Sequence, residues 1–95
     1  MLDRKQRFFR LLENYMNDFQ GESVKKIYGD GAKIKIHSMN HSHSTKSILF
    51  EIVVILGETI NENVMDKTLA NILIQDALVY FFQDQDIKTY VRFDV

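Results

Sequence analysis

Ninety-five residues with a formal net charge of −1, 45% hydrophobic and 26% charged, have the make-up of one globular domain and not of a disordered chain. With no cysteine there can be no disulfide and no thiolate metal site, and no apolar run approaches the ~20 residues that span a bilayer. The start, MLDRKQRFFRLL, puts charges where a signal peptide needs its apolar stretch, so the expectation is a cytoplasmic protein without a membrane partner.

The net charge conceals an asymmetry. Residues 1–50 carry nine Lys/Arg against five Asp/Glu, a balance of +4, and residues 51–95 carry three against eight, a balance of −5. Such polarity can steer a partner or align two copies of the chain.

The first predicted element is an amphipathic helix from about Asp3 to Gln20. Phe8, Phe9, Leu11, Leu12, Tyr15, Met16 and Phe19 share one arc of a 3.6-residue wheel, with Arg7, Arg10, Asn14 and Asn17 opposite. Asp3 with Gln6 resembles a capping box, and Gly21 supplies a stop. Arg4, Lys5 and Arg7 in the first turns and Asp18 near the end run against the helix dipole, which makes the basic end a candidate anion contact.

Residues 24–28, VKKIY, read as a short strand, followed by a tight turn at Gly29-Asp30-Gly31. Alternation is clearer in KIKIHSMN, residues 33–40, with Ile34 and Ile36 on one face. A polar loop of five or six residues through His41 to Lys46 then turns into SILFEIVVIL, residues 47–56. That strand is apolar on both faces, with Ile48, Phe50, Ile52, Val54 and Leu56 on one and Leu49, Val53 and Ile55 around Glu51 on the other. Two apolar faces predict a central position.

Gly57 ends the strand. Thr59 to Glu62 offers a capping box, with Asn61 and Asn63 as rival caps, for a second helix from about Asn63 to Phe82. Its main stripe is Leu69, Ala70, Leu73, Ile74, Ala77, Tyr80 and Phe81, and a narrower one holds Met65, Ile72 and Val79 at seven-residue spacing. So wide an apolar surface needs more cover than one sheet face provides. Residues 87–95 alternate Ile87, Thr89, Val91, Phe93 and Val95 against Lys88, Tyr90, Arg92 and Asp94, a final strand.

The expected fold class is α+β: one domain over residues 1–95, in helix-strand-strand-helix-strand order. It is a two-layer sandwich with both helices on one face of a mixed three- or four-stranded sheet. The second helix is the crossover that makes the last strand parallel to the second.

Candidate chemistry is sparse. His37, His41 and His43 are the metal candidates, since their odd numbers would line one strand face and a His-x-His pair has a spacing known for metal ligands. No acid follows where the cupin pattern places one, and no carboxylate is near to orient the rings, so neither metal nor cofactor is expected. A nuclease core would need a Glu-x-Lys strand, but Val53 stands where Glu51 would require the lysine. No catalytic constellation remains, and the expectation is a non-enzymatic protein.

The outward sheet face is expected to display Lys33, Lys35, His37 and Met39 beside Leu49, Glu51, Val53 and Ile55, and then Lys88, Tyr90 and Arg92. Leu49, Val53 and Ile55, with Met65, Ile72 and Val79 on the helix, are the candidate interface of a homodimer. Arg4, Lys5, Arg7, Lys33, Lys35, Lys88, Tyr90 and Arg92 are candidate anion or RNA contacts. The order of elements is similar to that of the type II KH fold and ribosome-binding factor A, and that resemblance implies an RNA-binding or ribosome-associated module. The G-x-x-G turn with which KH domains grip RNA does not occur in this chain. The expected function is a small interaction or assembly module working as a homodimer, with RNA binding as the alternative.

Overall fold

The computed structural model describes residues 3–58 and 66–94. The caps proposed at residues 59–63, the interface residue Met65 and the terminal Val95 lie outside the described residues. The elements are α1 (Arg4–Tyr28), β1 (Lys33–Ser42), β2 (Ser47–Ile55), α2 (Lys67–Phe81) and β3 (Asp86–Asp94). This is the expected α+β order. The sheet has three strands in the order β1-β2-β3, with β1 antiparallel and β3 parallel to the central β2.

Helix α1 opens on the capping box read from the sequence. The Asp3 carboxylate accepts from the Gln6 amide at 2.8 Å, and the Gln6 side chain accepts from the Asp3 amide at 3.2 Å. It does not stop at Gly21. It runs seven residues further, to Tyr28, so VKKIY is helical and not a strand. The reason is packing: Leu12, Met16, Gln20, Val24 and Tyr28 form one buried row at four-residue spacing, worth more than the ~1 kcal/mol that a mid-helix glycine costs. Gly29, at φ 99°, makes the real terminus. The longer helix removes one dipole conflict, because Asp18 now lies mid-helix and Lys25 and Lys26 occupy the last turn.

The inward face of the sheet carries Ile34, Ile36, Ile48, Phe50, Ile52, Val54 and Val91. These join Leu12, Met16, Val24 and Tyr28 of α1 and Ala70, Ile74, Ala77 and Leu78 of α2 in one buried cluster. Both helices thus pack against the same side of the sheet. They run antiparallel, since Phe8 meets Phe82, Phe19 meets Tyr80, and the Gln20 side chain donates to the Leu73 carbonyl at 3.0 Å.

Polar side chains of α1 also reach the rim of β1. The Asn17 amide group accepts from the Ile34 N–H at 2.9 Å and donates to the Ile34 carbonyl at 3.0 Å, while the Glu13 carboxylate accepts from the Ile36 N–H at 2.8 Å. Asn17 therefore faces the sheet, not the solvent side on which the wheel placed it. Its second donor bond, to the Glu13 carbonyl at 2.7 Å, holds the amide in place.

Helix α2 runs Lys67–Phe81 with Asp66 as its cap, accepting from the Thr68 amide at 2.9 Å; the start expected at Asn63 lies outside the described residues. It is anchored on β3 through Thr89, whose hydroxyl donates to Asn71 at 2.7 Å and accepts from Gln75 at 3.3 Å. The loop between β1 and β2 is tighter than expected: β1 extends to Ser42, and Lys46 takes a left-handed φ of 52° in the turn.

Behind β2, the Gly57 amide donates to the Tyr28 carbonyl at 2.7 Å and the Glu58 amide to Asp30 at 3.2 Å. A Cβ at Gly57 would collide with the backbone of Gly29 and Asp30. Gly57→Ala is therefore expected to cost at least about 2 kcal/mol in urea unfolding, because neither colliding segment is a flexible side chain. Asn17→Ala leaves both polar groups of Ile34 without their partner and is expected to lower stability by about 1–3 kcal/mol in the same assay.

Candidate interaction surfaces

The register defines the outer sheet face as a set of rows across the three strands. They run Lys33–Ile55–Asp94, Lys35–Val53–Arg92, Ser38–Glu51–Tyr90 and Asn40–Leu49–Lys88. Val53 is only 8% exposed, because the long stems of Lys35 and Arg92 flank it in its row. Leu49 is 39% exposed and Ile55 is half-buried. The apolar column along β2 is thus real but thin, and Glu51 interrupts it.

The strand β1 departs from simple alternation. A bulge falls between Ile36 and Ser38, with His37 as the extra residue, so every later side chain changes face. Met39 pairs with Phe50 and packs against the core instead of facing outward, and Ser38 and Asn40 take the outer positions. The histidine ladder breaks for the same reason. His41 and His43 lie close, with ring centroids 4.2 Å apart, but His37 is on the far side of the bulge and His43 belongs to the turn. Among the described residues no three His, Cys, Asp or Glu side chains are placed to share a metal ion.

Tyr90 apart, the most exposed large apolar residues are on the helical layer. Leu11 and Phe19 of α1 and Ile72, Val79, Tyr80 and Phe81 of α2 are all at least 40% exposed. Tyr15 joins them into an aromatic seam, 5.9 Å from Phe19 and 5.2 Å from Phe81. The wheel had placed Leu11, Phe19, Tyr80 and Phe81 on core-facing arcs. The missed signal was the strict four-residue row from Leu12 to Tyr28, which pushes Leu11 and Phe19 to the flank of α1.

The interface candidates therefore separate into two surfaces. Leu49, Val53 and Ile55 belong to the outer sheet face, whereas Ile72 and Val79 sit on the crown of α2, on the side of the helix away from buried Ile74 and Leu78.

The candidate anion contacts also divide. Arg4, Lys5 and Arg7 are in the first turns of α1, where the Lys5 ammonium lies 5.6 Å from the Phe9 ring. Lys33, Lys35, Lys88 and Arg92 share the outer sheet face with Tyr90, which is 68% exposed and has the Lys67 ammonium 5.9 Å from its ring. Those four cations share the face with three acids, Glu51, Asp86 and Asp94, so it has no single sign.

One buried group is unusual. Tyr28 is 1% exposed and its hydroxyl has no hydrogen-bond partner among the described residues. Burial, and secondly the negative charge of Asp66, raise its pKa above the ordinary tyrosine value. The space beside it, lined by Val24, Ile34, Val54 and Ile74, has no room for a ligand.

No helix among the described residues is long and apolar enough to cross a membrane. Comparison with protein families, curated proteins and solved structures found no match to this chain. For the histidines, a calorimetric titration with Zn²⁺ is expected to show no binding tighter than about micromolar, since two imidazoles without an orienting carboxylate make a weak site.

Proposed function

We propose that this chain is a small non-enzymatic interaction module that assembles as a homodimer. The observation that carries the reading is the exposure of large apolar side chains on the helical layer, with Tyr80 at 63%, Leu11 at 58%, Ile72 at 53% and Val79 at 51%. A monomer in water seldom leaves so much large apolar side chain uncovered on one layer. Two-fold pairing of like chains is the commonest way to cover one.

A second reading, an RNA-binding module, draws on Tyr90. Its exposed ring lies among Lys67, Lys88 and Arg92, as a base-stacking platform would require. It is the weaker of the two, because the same face carries a single exposed aromatic and nearly balanced charge. Steep loss of RNA binding with added salt is the behaviour that would favour it, since phosphate contacts release counterions.

The test of the homodimer is a solution mass. Light scattering at tens of micromolar is expected to give twice the chain mass, and a single-chain mass there defeats the proposal. Ile72→Asp places a charge on the crown of α2 without touching the core. It is expected to raise the dimer dissociation constant by about tenfold or more while the circular dichroism stays unchanged.

A further inference from the structure

The two margins of the sheet are unlike. At β1 the N–H and carbonyl of Ile34 are taken by Asn17 and the N–H of Ile36 by Glu13, and the bulge at His37 breaks the line beyond them. At β3 the Asp86 amide and the Asp94 carbonyl both bond toward β2 and its flanking turns. Alternation along a strand then directs the backbone groups of Ile87, Thr89, Val91 and Phe93 away from the sheet. Among the described residues no backbone hydrogen bond reaches that margin. It is nine residues long, without bulge or proline, and such an edge is a template for another strand.

We infer that the homodimer closes by antiparallel pairing of β3 with β3 of a second copy, centred on Thr89, to give one continuous six-stranded sheet. The inference rests on the homodimer reading and places its contact at the β3 margin, on the flank of α2 opposite the aromatic seam with α1. Self-complementary charge along β3 favours a second copy as the occupant and bears on the register. Centred on Thr89, Asp86 faces the partner's Arg92, Ile87 the partner's Val91, and Lys88 the partner's Tyr90. Each pair is complementary in charge, apolar contact or cation–π character. A centre one residue later, at Tyr90, would set Lys88 against the partner's Arg92 and Asp86 against the partner's Asp94, two like-charge clashes on each side. In the favoured register the partner's Lys88 takes the place over the Tyr90 ring that Lys67 holds in the single chain.

The helical layer agrees with this centre. Asn71 and Gln75 both touch Thr89, so the axis passes beside the middle of α2. Two copies of α2 then run antiparallel on either side of the axis, their Asn71 and Gln75 flanks nearest it.

Amide hydrogen exchange on the native chain is the direct test, because it needs no variant. At dimer concentrations the amides of Ile87, Thr89 and Val91 are expected to be protected, and dilution should speed their exchange. The amides of Lys88, Tyr90 and Arg92, which point to β2, should stay protected throughout. Charge reversal adds a second readout. Asp86→Arg and Arg92→Asp are each expected to raise the dissociation constant by about tenfold, since each alters two symmetry-related contacts, and the double exchange should restore it to within about threefold. Rapid exchange at Ile87, Thr89 and Val91 in a particle of two-chain mass overturns the strand pairing and leaves the homodimer standing. A failure of the double exchange to restore affinity overturns the Thr89 register. A single-chain mass removes both.

Discussion

The structure depends on how α1 meets the rim of β1. An edge strand leaves alternate backbone groups without a ladder partner, and burying them unpaired beneath a helix would cost about 1–3 kcal/mol each. Asn17 removes that cost at Ile34 by presenting a carboxamide, a group with the donor and acceptor of a peptide unit, to both its N–H and its carbonyl. Glu13 does the same for the Ile36 N–H one turn earlier. With the rim satisfied, α1 can lie close enough for Leu12, Met16, Gln20, Val24 and Tyr28 to sink into the core. The helix then extends past Gly21 because each further turn buries another side chain.

Much of this fold was legible, and the places where it was not are instructive. The apolar runs of β2 and the alternation of β3 led to a central strand and a parallel neighbour, because period-two patterns report burial on each face directly. The capping box at Asp3 was equally readable, being local. Gly21 misled because local propensity was weighed without knowing that Val24 and Tyr28 continue the row set by Leu12. Asn17 misled because a polar residue near a sheet rim looks on a wheel like any solvated one. The bulge at His37 has no signature in composition, yet it moved Met39 inward and dismantled the histidine ladder. The exposed seam around Phe19 and Tyr80 was hidden for a related reason: a wheel shows which residues share an arc, not how wide an arc the neighbouring elements cover.

The two apolar surfaces also differ in kind. On the outer sheet face, charged stems from β1 and β3 already shelter Val53, so little is left there for a partner to cover. On the helical layer the aromatic rings lean on one another. Surplus hydrophobicity in this small chain is concentrated where its own elements end, at the crown of α2 and the flank of α1.

Beneath α1 the sheet margin is guarded over part of its length. An incoming strand would have to displace the carboxamide of Asn17 and the carboxylate of Glu13 before it could pair with Ile34 and Ile36, so that stretch of β1 resists edge-to-edge addition. Two small polar groups thus discourage stray strand pairing as well as holding a helix down.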